Sequence, residues 1–233
     1  MPPSAARPST NDGENFSVSN DLVHRIRRYI ADRGALDALS FVLTALVQLL
    51  RGLLRGYWLV FIGKGVTIRA RSRVAIGRFT RIEDFVEIDG FGTSGVQIGC
   101  HCKVGKFSIL RVPPVPYLKG TGIRIADRTT FAEYCFVGGA ALVDIGSRNA
   151  FGQYNSIHPE NHLPKTGDSP TATHSVGIRI GDDNWFGAKA TVLDGCNIGA
   201  RSIFAAGTVV RGVFPDDVMA AGVPANIKRR LQP

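Results

Sequence analysis

Three of the five histidines in this 233-residue chain fall in one short stretch, His158, His162 and His174, beside Glu160, Lys165 and Asp168. Near pH 7 a neutral imidazole can take a proton from a hydroxyl, as transfer of an acyl or phosphoryl group to an alcohol requires. The same residues allow two other readings. A loop histidine is commonly a plain polar surface residue, and His158 and His162 have the four-residue spacing of a helical zinc pair. Pro159 and Pro164 oppose a helix here, so no metal is expected.

The elements around this stretch are set by a period of six. Ile180, Phe186, Val192, Ile198, Phe204 and Val210 follow one another at intervals of six residues without a slip. Earlier triplets repeat the interval: Ile76, Ile82, Ile88; then Ile98, Val104, Leu110; then Ile125, Phe131, Val137; then Ile145, Phe151, Ile157. A ragged start reads Ile62, Ile68, Val74. Six matches neither the 3.6-residue period of a helix nor the alternation of a simple strand, and predicts short strands joined by tight turns and stacked as a solenoid. Grouping in threes gives about 18 residues per triangular coil. Glycine often follows the anchor (Gly63, Gly77, Gly99, Gly105, Gly146, Gly152, Gly181, Gly187, Gly199), as expected where a turn profits from a missing Cβ. A second inward position is small, as at Thr80, Cys102, Ser108, Cys135, Asn149, Asn155, Asn184, Cys196 and Ser202. The interruptions are where such a scaffold carries function, and the longest, Ile157 to Ile180, holds the histidines.

The net charge is +9, which admits nucleic acid, anionic lipid or a phosphorylated ligand as partner. The basic residues are scattered or terminal and are not interleaved with aromatics, so nucleic acid is not expected. Cys102, Cys135 and Cys196 fall on small inward positions and read as compact filler, and Cys100 with Cys102 makes only a lone C-x-C. Reduced thiols in a cytoplasmic protein follow.

Residues 1–20 are rich in Pro, Ser, Ala and Asn and read as a disordered tail. Residues 21–58 read as a helical segment, with Leu36, Leu39, Leu43, Leu46, Val47, Leu50 and Leu54 at helical spacing. Its uncharged core, Ala38 to Leu50, is thirteen residues, short for a membrane span. Arg25, Arg27, Arg28, Arg33, Arg51 and Arg55 flank it. Such a helix packs on the solenoid end or a neighbouring subunit, or it lies on an anionic membrane with its arginines at headgroup level; a true transmembrane span is the remaining possibility. The solenoid is expected over 59–214, with an inserted loop at 158–179. Residues 215–233 then close the last edge and finish in a short basic helix from Ala225.

Ile180-Gly-Asp-Asp-Asn-Trp-Phe-Gly-Ala188, Gly195-Cys-Asn-Ile-Gly199 and Ala220-Ala-Gly-Val-Pro224 with the basic residues after it resemble the hexapeptide-repeat acyltransferases, in particular the galactoside and maltose O-acetyltransferases and those of bacterial polysaccharide biosynthesis. The likeness runs from about Ile62 to Arg230. It implies an all-β solenoid, a left-handed parallel β-helix of hexapeptide repeats, assembled as a homotrimer, with acetyl-CoA as co-substrate. It places the family's loop histidine, the general base that takes the proton from a sugar hydroxyl, on His162. The coenzyme A positions fall on Trp185, Ala188 and Ala206, and the basic contacts to its nucleotide phosphate near Arg211 and on Arg229, beside Lys228 and Arg230.

The pattern departs from the small-sugar enzymes in two respects. Their acceptor-side asparagine would fall near Ala132–Glu133 and is absent, leaving Glu133 as a substitute, and the long N-terminal helix is closer to polysaccharide-modifying relatives. Both favour a larger or lipid-linked glycan at the cytoplasmic face of the membrane. The rivals are N-acetylation of an amino sugar, a metal lyase of the carbonic anhydrase kind, and a non-catalytic binding solenoid.

Overall fold

The computed structural model describes residues 34–113, 119–162 and 173–232, and gives only the backbone of Ala35, His162, Thr173 and His174. The expected tail, the first part of the helical segment at 21–33 and most of the inserted loop lie outside the described residues. The chain divides into two units, Met1–Ala45 and Leu46–Pro233.

Nearly every hexad anchor becomes the buried residue of a strand, most of them two or three residues long, and like anchors stack in parallel register to form three sheets. On the first face Ile62, Ile82, Val104, Phe131, Phe151, Phe186 and Phe204 stand in line. The second face lines up Ile68, Ile88, Leu110, Val137, Ile157, Val192 and Val210. The third lines up Ile76, Ile98, Ile125, Ile145, Ile180, Ile198 and Phe214. The three lines converge on a single core in which Phe131, Phe151, Phe186 and Phe204 stack with centroids 4.5, 4.6 and 4.7 Å apart. Val74 is not the third anchor of the opening coil. It shares the strand Val74–Ile76 with the true anchor, Ile76, because a single turn of 3₁₀ helix at Arg71–Arg73 lengthens that corner.

The small inward residues do more than fill space. Asn184 donates from Nδ2 to the carbonyls of Gly181 (3.1 Å) and Gly199 (2.9 Å), and its Oδ1 accepts the N–H of Ser202 at 2.9 Å. Asn149 makes the equivalent bonds one coil earlier. These amides satisfy backbone groups that a buried turn would otherwise leave unpaired.

The glycines after the anchors are needed for a reason other than the expected one. Gly77, Gly99, Gly105, Gly181, Gly187 and Gly199 do not have positive φ. A Cβ on Gly187 would lie 2.5 Å from the nitrogen of Ala206, and one on Gly181 would lie 2.7 Å from the carbonyl oxygen of Gly199, on the next coil. Coil stacking excludes the side chain. The left-handed turn residue comes two positions later and is mostly not glycine: Phe79, Phe107, Tyr154, Asp183 and Arg201 all have φ between 56° and 60°.

Every triplet from third face to first to second keeps the six-residue interval, so the length variation falls at the corner between the second and third faces. The loop bearing the histidines leaves at this corner, between strands Ser156–His158 and Ile178–Ile180.

The chain ends differently from the sequence expectation. Asn226–Arg230 is a strand, not a helix, and pairs antiparallel with Val218–Ala221, which itself pairs in parallel with Ile203–Phe204. The exposed edge of the first face is capped by a hairpin. At the other end, Ala35–Leu54 forms a 20-residue helix. Its apolar stretch, Leu36–Leu54, reaches 19 residues, longer than the thirteen-residue core read from the sequence and long enough by length and composition to cross a membrane.

Candidate functional site

His162 lies on a two-residue strand, Asn161–His162, paired antiparallel with Thr173–His174 so that His162 faces Thr173 in register. This small hairpin closes the neck of the loop. The neck is tied to the solenoid by one carboxylate. Asp194, buried in the turn after strand Thr191–Leu193, accepts the backbone N–H of Gly177 at 2.7 Å and that of Val176 at 2.9 Å, and receives Asn161 Nδ2 at 3.3 Å. The start and the end of the loop are thus held by one residue of the next coil. Charge-assisted bonds of this kind are the stronger sort.

His158 lies at the end of strand Ser156–His158, in register with Leu193. Its ring stacks on Phe136 with centroids 5.1 Å apart, and partial burial lowers its pKa below the ordinary imidazole value. Arg211, exposed, follows Val210 on the same face, one strand beyond Leu193.

The residues expected at the cofactor gather elsewhere on the coil. Trp185 points outward from the first face and is 55% exposed. Its row runs on through Ile203 and Met219 to Arg229, so Trp185 and Arg229 share one outward row. Arg229 reaches this row because the terminal segment is a strand. Ala188 and Ala206 occupy equivalent places at the corner between the first and second faces, where Ala188 accepts the N–H of Gly207 at 2.9 Å.

That corner changes character along the prism. In the earlier coils its left-handed residues are Phe85, Phe107, Tyr134 and Tyr154, stacked with centroids 5.2, 5.2 and 5.0 Å apart. Residues with long side chains precede them: Asp84, Lys106, Glu133 and Gln153. In the last two coils the same places hold Ala188 with Lys189 and Ala206 with Gly207. The aromatic ridge stops here, with Lys189 and then Gly207 in its place. A slim, partly polar chain such as pantetheine fits a shelf of this form. The residues present therefore suit coenzyme A, with Trp185 as a flat wall and Arg229 able to meet a phosphate.

Within one chain these two groups do not meet. His162 leaves at the corner between the second and third faces, and Ala188 and Ala206 lie at the corner before the second face. A three-residue strand, about 10 Å long, separates them. Glu133 lies on the alanine corner two coils earlier, where its carbonyl accepts the N–H of Tyr154 at 3.1 Å. Asp194 was not singled out in the sequence; Asp-Gly at 194–195 reads there as an ordinary turn, and its partners lie 17 or more residues away.

Residues 177–212 match the family described as bacterial transferase hexapeptide (six repeats). A probable acetyltransferase of Mycobacterium tuberculosis is 29% identical over 75% of this chain and 51% of its own length. A putative lipopolysaccharide biosynthesis O-acetyl transferase of Escherichia coli is 25% identical over 49% of this chain and 68% of its own. Among solved structures, a mutant of an N-acyltransferase from Bacillus cereus, in complex with dTDP-4-amino-4,6-dideoxyglucose and coenzyme A, superposes with a TM-score of 0.52 at 14% identity, over 79% of this chain and 90% of that one. The chain spans about half the length of the first of these relatives. The stacked hexads define a left-handed parallel β-helix, and the chain is similar in sequence to hexapeptide-repeat transferases.

Proposed function

We propose that the protein is an acetyl-CoA-dependent O-acetyltransferase that acts on a sugar hydroxyl of a surface polysaccharide or of its lipid-linked precursor. The observation that carries this reading is that the last coils bear both a histidine loop with a clamped neck and, at a separate corner, Ala188 and Ala206 in place of larger side chains. His162 would accept the proton of the acceptor hydroxyl as that oxygen bonds to the thioester carbonyl carbon. The carbon–sulfur bond then breaks, and the proton passes to the departing thiolate. A positioned base of this kind contributes roughly 10²–10⁴ in rate. Trp185, Ala188 and Ala206 would carry the pantetheine arm, with Arg211 and Arg229 meeting phosphate.

The separation of the two groups within one chain supports a homotrimer, in which the loop corner of one copy faces the alanine corner of the next. The E. coli relative, named for lipopolysaccharide biosynthesis, supports a glycan acceptor, as does the absence of the small-sugar asparagine near Glu133. A second reading, N-acylation of an amino sugar, is favoured by the B. cereus neighbour. Release of free coenzyme A from acetyl-CoA against a panel of sugars, with and without His162→Ala, tests both. Turnover with hydroxyl acceptors that falls 10²-fold or more in the variant supports O-transfer. Turnover with amino sugars that the variant retains supports the second reading. No coenzyme A release with any acceptor overturns both.

A further inference from the structure

The helix Ala35–Leu54 carries more exposed apolar surface than any subunit of this size needs to keep in water. Leu39, Leu43, Leu46, Leu50, Leu53 and Leu54 are each between 52% and 77% exposed. At about 100° per residue, Asp37, Ser40, Thr44, Gln48, Arg51 and Arg55 fall in an arc about 80° wide, and the remaining circumference is apolar apart from Gly52.

The helix meets the first two coils through Gln48, at the edge of the polar side, and Gly52 beside it, while Asp37, Ser40 and Thr44 are exposed. Gln48, buried, accepts a hydrogen bond from Arg81 at 3.0 Å, and Gly52 lies so close to the carbonyl of Val60 that a Cβ there would clash at 2.1 Å. Leu46, Leu50, Leu53 and Leu54 lie away from these contacts and are exposed. Trp58, just past the helix, is 62% exposed, an aromatic of the type that settles at headgroup level.

Charge identifies what covers this arc. Between Asp37 and Glu83 the chain has no acidic residue and eight basic ones, Arg51, Arg55, Lys64, Arg69, Arg71, Arg73, Arg78 and Arg81. A second copy would bring the same sign of charge against itself. An anionic surface complements it.

We propose that the helix lies in the plane of an anionic lipid bilayer, with its apolar arc immersed and the basic first coils against the headgroups. A perpendicular span is disfavoured, because Gln48, in the middle of the second half of the helix, would carry Arg81 into the hydrocarbon. The proposal is independent of the acetyl-transfer reading.

The test is flotation of the full chain with vesicles of phosphatidylcholine alone or with phosphatidylglycerol added, for the parent and for Leu43→Glu combined with Leu46→Glu. Both leucines are exposed, so the fold should hold, and circular dichroism checks it. The parent is expected to float with the anionic vesicles, less so at high salt, and the double variant to lose about 100-fold in partitioning. If the parent stays unbound with anionic vesicles, or if both proteins float equally, the proposal falls. It falls equally if the variant lowers the oligomer mass in sedimentation while the parent binds no vesicles, which makes the arc a subunit contact.

Discussion

The backbone N–H of Gly177 points at the carboxylate of Asp194 from 2.7 Å, and through this bond the end of the histidine loop is fixed to the coil that follows it. The same carboxylate holds Asn161, next to His162, at 3.3 Å. Asp194 would act as a positioning residue for the proposed base, through its bond to Asn161. Asp194→Ala frees both ends of the neck and leaves two backbone N–H groups without their acceptor. The expected result is a fall in kcat of about 10²-fold from misplacement of His162, with the Kd for coenzyme A, measured by calorimetry, unchanged. Asp194→Asn keeps an acceptor and should recover part of the loss, which a residue serving only stability would not do. Unchanged kcat in Asp194→Ala removes this role.

Ala206 is exposed at the corner of the last regular coil, so a larger side chain costs the fold little. Ala206→Trp puts a large side chain where Lys106, Glu133 and Gln153 stand on earlier coils and should close the shelf. Binding of coenzyme A is expected to weaken at least tenfold, with the thermal midpoint within a degree or two of the parent. Full retention of binding would show that the cofactor takes another path.

Asn184 links three coil segments from a buried position. Asn184→Ala leaves the Ser202 N–H and the Gly199 carbonyl unpaired inside the prism, at a cost of about 2–4 kcal/mol. Denaturant unfolding should show this as a lower midpoint with an unchanged slope.

His158 has a folded-state pKa lowered by burial, below the value near 6.5 expected when the chain is unfolded. Its contribution is fully present above about pH 6.5. As pH falls through that value the unfolded chain gains a proton that the folded one does not, and stability drops; the loss levels off once the folded pKa is passed. The thermal midpoint should therefore fall less steeply from neutral to mildly acid pH in His158→Gln than in the parent. Equal slopes would exclude His158 as a contributor.

The hexads from Ile76 to Val210 were readable in the sequence because burying one face of a short strand six residues apart leaves a pattern that chance does not produce. Register followed from the same anchors. What could not be read was any relation across coils. The clamp of Asp194 on Gly177 joins an ordinary-looking turn to a loop end, and nothing local marks it. The glycines after the anchors were found for the wrong reason: a missing Cβ looks the same in sequence whether a turn or a neighbouring backbone demands it. The terminal segment from Ala225 was misread as a helix because its basic residues gave no alternation. Its strand is imposed by the open edge of Val218–Ala221, a tertiary cause. Of the proposed site, Trp185 and Arg229 share one outward row and Ala188 and Ala206 one corner, whereas His162 belongs to a different corner of the coil. That division is a property of three dimensions alone.

The uneven corner between the second and third faces has an evolutionary consequence. Residues can be added or removed there without moving any anchor out of phase, whereas a single insertion on another corner would turn every later side chain of its strand to the wrong face. The molecule thus has a seam where the loop after His158 can lengthen, shorten or be exchanged while the corner at Ala188 and Ala206 stays untouched, so that a new loop can be grafted there in one step.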